Sequence, residues 1–135
     1  MTDSSVRANA ADELRLAESA LLAAEALLDL GLAPDAASRT YYAAFHAARA
    51  LIYSIGMEPR SHHGVHTLLQ RHFVVPGELR AERAKDLLQL EALRSAGDYD
   101  SAFALGVAEI RPEVEKARAF IADARALLHK GGWIP

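Results

Sequence analysis

Thr40-Tyr41-Tyr42-Ala43-Ala44-Phe45-His46-Ala47-Ala48-Arg49-Ala50-Leu51-Ile52-Tyr53 is apolar nearly all round and rich in small residues. A run of this length with strong helix formers and no Gly or Pro predicts a helix, and one without a continuous polar face belongs in the middle of a bundle. Its alanines let neighbouring helices approach closely. Pro34 and Asp35 open it, because proline lacks only an N–H that the first turn leaves unused and a carboxylate meets the positive end of the helix dipole.

Working outward, Gly31–Pro34, Gly56–Pro59, Pro76–Gly77 and Gly97 divide the chain into five helical stretches with short connections. In the first stretch Leu14, Ala17, Leu21, Ala24 and Leu28 recur at spacings of three and four, with Asp12, Glu13, Arg15, Glu18 and Glu25 mostly on the other side. Ser61 is the expected N-cap of a third, shorter helix whose Val65, Leu68, Leu69, His72 and Phe73 share a face. A fourth helix is expected from about Glu78 to Ser95, where Arg94 shares a side with Leu87 and Leu90. The last carries Val114, Ala117, Ile121, Ala124 and Leu128, with Pro112 in its first turn and Gly131-Gly132 at its end. Residues Asp98 to Ile110 read as a turn or short helix.

Composition bounds the rest. The chain has 135 residues, 51% hydrophobic and 24% charged, which suits one folded domain over 1–135 and not a multidomain enzyme. With 28 alanines against 8 glycines and 5 prolines, and few β-branched runs, the expected class is all-α. Fifteen basic and eighteen acidic side chains give a net charge of −3, so a nucleic-acid role must rest on a local patch. The absence of cysteine excludes disulfides, thiolate metal sites and a cysteine nucleophile. No run approaches the roughly 18 apolar residues of a membrane span, and the expected location is the cytoplasm.

The order Tyr41-Tyr42-Ala43-Ala44-Phe45-His46-Ala47-Ala48-Arg49-Ala50-Leu51, Gly56, Ser61-His62-His63-Gly64, Phe73-Val74, Arg94-Ser95-Ala96-Gly97-Asp98-Tyr99-Asp100, Ala117 and Phe120-Ile121 resembles the HEPN domain family of prokaryotes. The resemblance covers roughly residues 8 to 130. It implies an up-and-down bundle of about five helices, of the type that binds substrate for a nucleotidyltransferase, working as a homodimer beside a minimal nucleotidyltransferase antitoxin. In many members it implies metal-independent RNA cleavage by an Arg followed, after four to six residues, by a His. Arg94 matches that Arg, whereas Tyr99, Asp100 and Ser101 stand where the His belongs.

RNA cleavage without a metal needs a base for the 2′-hydroxyl, a cation beside the phosphorane and an acid for the leaving oxygen. Arg94 suits the cation, because guanidinium binds phosphate oxygens bidentately; its structural alternative is a helix-end pair with Asp98 or Glu91. Tyr99 and Asp98 are candidates for the proton transfers, against capping or turn roles, since a phenol of pKa about 10 is scarcely ionised at neutral pH. His62 is a candidate base from another helix, and with Arg60 and Arg94 it forms the candidate nucleotide- or RNA-binding set. Arg60, His62, His63, His66, Arg71 and His72 make the local basic cluster, which otherwise reads as a solvated helix start. No metal site is expected there, because no Asp or Glu accompanies the histidines nearby, and no cofactor is implied. The rings of Tyr41, Tyr42, Phe45 and Tyr53 are expected to pack rather than stack on bases.

Three functions follow as expectations: a toxin ribonuclease, a non-catalytic subunit that docks a nucleotidyltransferase or is modified by it at Tyr99, and an RNA or nucleotide sensor without turnover. Apolar area on the second and last helices beyond what one bundle hides motivates the dimer.

Overall fold

Tyr41, Leu51 and Ile52 are wholly buried, as are Ala43, Ala44, Ala47, Ala48 and Ala50, so the helix that contains them has the core on almost every side. In the computed structural model, which describes the backbone of residues 3–99 and 106–135 and the side chains of 4–96 and 106–135, this is helix α2, Ala33–Ser54. Helix α1 (Asp3–Asp29), α3 (His62–Leu69), α4 (Ala81–Tyr99) and α5 (Val107–Lys130) all pack against it. The protein is an all-α bundle of five helices, with no strand among the described residues.

The helix stripes fall where the periodicity puts them. Leu14, Ala17, Leu21, Ala24 and Leu28 of α1 are buried, and so are Val114, Ala117, Ile121, Ala124 and Leu128 of α5. Phe120 joins them at full burial; removing a side chain of that size from water contributes about 1.5–3 kcal/mol. Helix α2 covers its small-residue face within one chain, whereas on α5 Ala117 and Ala124 are buried and Ala122 and Ala126 exposed. Large apolar side chains lie exposed instead on α1, at Leu16 and Leu22, and on α4, at Leu88.

Gly31 and Gly56 take φ of +78°, the left-handed geometry that glycine enters without strain, and they end the helices at two of the predicted breaks. Gly97 does not break its helix. Helix α4 runs through it to Tyr99, since one glycine costs a helix only about 1 kcal/mol and Leu87 and Leu90 anchor the turns before it. Pro112 also departs from expectation, lying at the sixth residue of α5 and not in its first turn. The carbonyl that would have bonded its missing N–H belongs to Ala108, which is exposed and can turn to water. Val107–Ile110, read as part of a turn or short helix, is the first turn of α5.

Ser61 caps α3, its hydroxyl accepting from the Gly64 N–H at 2.9 Å. The helix then widens into one π-helical turn, Gln70–Val74, closed by the Val75 N–H donating to the Gln70 carbonyl at 2.9 Å. Buried Phe73 sits in that turn. The C-terminal tail folds back on α1: Arg7 lies over Trp133, 5.7 Å from its ring centre, and donates to the Gly132 carbonyl.

Candidate functional site

Tyr41 and Tyr42 are consecutive on α2, so their side chains diverge by about 100°, and α3 and α4 converge on both. The guanidinium carbon of Arg94, from α4, stands 5.3 Å from the Tyr42 ring centre and 5.6 Å from that of Tyr41. Two aromatic faces hold the cation in place while the side chain stays partly exposed. From α3, His62 stacks on Phe45, with ring centres 4.5 Å apart and planes at 17°, and on Tyr41 at 5.6 Å and 16°. Its Nδ1 is hydrogen-bonded to the Tyr41 hydroxyl.

Burial pushes the Tyr41 hydroxyl well above the ordinary phenol value, and the negative charge of Glu91 adds to it, with Arg94 opposing in part. That hydroxyl therefore keeps its proton at neutral pH. Glu91 itself is engaged by His66, whose Nε2 lies 2.7 Å from Oε2.

A second polar cluster lies one turn further along α2. His46 Nδ1 is 2.7 Å from Glu13 Oε2, and Arg49 Nε is 3.2 Å from Oε1 of the same carboxylate. Burial alone would raise the Glu13 carboxyl, but the hydrogen bond from His46 and the charge of Arg49 outweigh it and hold it below the usual carboxylate value. Arg49 also donates to the Tyr53 hydroxyl at 3.1 Å and to the Pro59 carbonyl at 3.3 Å, tying the α2–α3 connection to the helix. His46 reaches the first cluster through Tyr42, 6.2 Å away between ring centres.

Of the residues singled out from the sequence, Arg94 and His62 meet on the Tyr41–Tyr42 pair. Arg60 is exposed in the connection just before α3. The side chains of Tyr99 and Asp98 lie outside the described residues, as do residues 100 and 101. The histidine cluster is divided: His62 turns to Tyr41 and His66 to Glu91, while His63 and Arg71 are exposed. Among the described residues no three His, Asp or Glu side chains converge as a metal site would require.

Glu13 and His46 are the members that the sequence reading missed, and Glu91 was named there only as a helix-end partner for Arg94. Glu13 lies 33 positions from His46 and reads as part of the solvated side of α1, so only the packing of α1 on α2 brings the two together. The one available signal was a histidine and an arginine, His46 and Arg49, at i, i+3 inside an otherwise apolar helix, which demands a buried acceptor.

The chain as a whole is similar to known proteins. Residues 10–132 match the family described as "HEPN domain". A Gloeobacter violaceus protein, "UPF0332 protein glr0978", is 37% identical over 91 residues, 67% of this chain and 72% of its own. "Putative toxin MJ0605" of Methanocaldococcus jannaschii is 29% identical over 117 residues, 87% of this chain and 81% of its own. The crystal structure of TT1696 from Thermus thermophilus superposes with a TM-score of 0.74, covering 87% of this chain and 96% of that one at 19% identity, which speaks to the fold. No described helix is long and apolar enough to cross a membrane.

Proposed function

The chain belongs to the HEPN family, and from that premise we propose that it acts on RNA as a metal-independent endoribonuclease, the toxin half of a pair with a minimal nucleotidyltransferase antitoxin, in the cytoplasm. The observation that carries this reading is the Arg94 guanidinium, fixed over Tyr41 and Tyr42 without being hidden and with His62 stacked on the same Tyr41 ring. A preorganised cation of this kind stabilises the charge that builds on phosphate oxygens in the transition state. Relatives with toxin in their names support the biological setting. Arg60 and His62, at the start of α3, supply further contacts to the RNA backbone. Tyr99 and Asp98 follow Arg94 on α4 and remain candidates for proton transfer.

The working form in this reading is a homodimer in which Arg94 of both subunits lines one cleft. Leu88, Ala92 and Ser95 form an exposed, uncharged stripe along α4 beside the Arg94 face, which suits such a contact. Sedimentation is expected to return twice the monomer mass; a monomer at all concentrations would remove the shared cleft.

The test is incubation of the purified protein and its Arg94→Ala variant with total RNA in chelator. Wild type is expected to cleave and the variant to lose about 100-fold or more in rate. A second reading, a non-catalytic subunit that is itself modified, is favoured by the hydroxyl of Tyr99 standing where the family histidine belongs. In that case neither protein cleaves, and Tyr99 gains mass when the partner enzyme and a nucleoside triphosphate are added.

A further inference from the structure

We propose that two histidines outside the family's Arg–His spacing divide the proton transfers at the Arg94 site: His46, backed by Glu13, is the general base, and His62, backed by Tyr41, is the general acid. The inference rests on the RNA-cleaving reading above and names the groups that complete it.

A neutral imidazole carries one proton, and the partner at one nitrogen decides what the other nitrogen offers. At His46 the partner of Nδ1 is the Glu13 carboxylate, 2.7 Å away, which accepts and does not donate. Nδ1 therefore holds the proton and Nε2 presents a lone pair. Arg49 on the other Glu13 oxygen keeps that carboxylate ionised and fixed. At His62 the partner of Nδ1 is the buried Tyr41 hydroxyl, which unlike a carboxylate has a proton to give and, with the tautomer assigned to His62, donates it to Nδ1. His62 Nε2 therefore carries an N–H. The two residue types are identical, yet one offers an acceptor and the other a donor.

Placement agrees with this division. Tyr42 is common to all three groups: its ring centre is 5.3 Å from the Arg94 guanidinium, 6.2 Å from the His46 ring and 6.5 Å from the His62 ring. Cation, acceptor and donor thus all border the one Tyr42 ring, which is where the proposal seats the phosphodiester. The His46 side chain is a quarter exposed, and its bond to Glu13 engages Nδ1 and not Nε2. His66 is excluded from the role by its Glu91 bond through Nε2 and its deeper burial, with 14% of the side chain exposed.

In the step itself His46 Nε2 takes the proton of the ribose 2′-hydroxyl while the 2′-oxygen bonds to phosphorus. The bond from phosphorus to the 5′-oxygen breaks, and His62 Nε2–H gives its proton to that oxygen. The products are a 2′,3′-cyclic phosphate and a 5′-hydroxyl. His46 then releases its proton to water and His62 takes one up, so no proton is consumed overall.

The experiment has two arms. Long-range proton–nitrogen correlation on the 15N-labelled protein at neutral pH is expected to show His46 protonated at Nδ1 and His62 at Nε2. Tyr41→Phe is expected to mix the tautomers of His62 and leave His46 unchanged. Like tautomers at both histidines in the wild type overturn the assignment. In the second arm, His46→Gln and His62→Gln are each expected to lower RNA cleavage by about 100-fold or more. With uridine 3′-(4-nitrophenyl phosphate), whose leaving group needs no proton, His62→Gln alone regains wild-type rate. Rescue of both variants, or of His46→Gln alone, refutes the roles. If wild type cleaves in an Arg94-dependent manner while both variants match it, the proposal fails and the RNA reading stands. If wild type cleaves neither substrate, both fail.

Discussion

Replacing Glu13 with Ala tests whether the α1–α2 seam depends on a buried carboxylate. Glu13 has 12% of its side chain exposed and accepts from His46 Nδ1 at 2.7 Å and Arg49 Nε at 3.2 Å. Hydrogen bonds to a charged group contribute about 1.5–3 kcal/mol each when both partners are dry. Here the donors are 25% and 22% exposed, so water replaces part of what the carboxylate supplied. The expected total loss is about 2 kcal/mol, a fall in Tm of roughly 6–10 °C for a chain of this size. Asp12→Ala is the control: its pair with Arg15 is 59% and 71% exposed and its loss should stay below about 0.5 kcal/mol. The pH dependence follows from the sign of the shift. Because the folded state holds the Glu13 carboxyl below its unfolded value of 4.5, the unfolded chain binds more protons between the two values. The contribution is thus complete above 4.5 and is lost as pH falls through the folded value. Thermal unfolding of wild type and variant from pH 7 to pH 3 should converge below 4.5. A gap that stays constant over that range, or equal losses for Asp12→Ala and Glu13→Ala, would refute the reasoning.

Two further substitutions probe the frame around the site. Ala47→Leu puts a bulky side chain at a fully buried position of the central helix, and overpacking there is expected to cost about 1–3 kcal/mol in denaturant unfolding. Ser61→Ala removes the acceptor for the Gly64 N–H, with an expected loss of about 1 kcal/mol and a weaker His62 contact, visible as altered His62 ring resonances.

How much the sequence told depended on the range of the physics involved. The core stripes of α1 and α5, the Ser61 cap and the breaks at Gly31 and Gly56 are local patterns, set by helix period and left-handed glycine geometry, and they are legible residue by residue. Gly97 and Pro112 misled because both residues weaken a helix without forbidding it, and tertiary packing decided the outcome. Tyr41 illustrates the middle case: it packs, as its spacing and alanine neighbours indicate, but its hydroxyl also bonds a histidine 21 positions away. Which carboxylate meets which histidine in the pairs Glu13–His46 and His66–Glu91 was not legible, since each joins residues on helices whose relative rotation no single-helix pattern specifies. The Arg94 position was legible through the family motif, whereas its seat on two tyrosines required α2 and α4 side by side.

The widened turn at Gln70–Val74 has a bearing on how chain length can vary here. A π-turn holds one more residue than an α-turn, so losing a residue from it would restore ordinary winding at the end of α3. The same loss within α2 would swing every later side chain by about 100° and drive the alanine faces out of the interior. Single-residue deletions should therefore be tolerated at Gln70–Val74 and lethal to folding in α2, a contrast that a deletion scan would display directly.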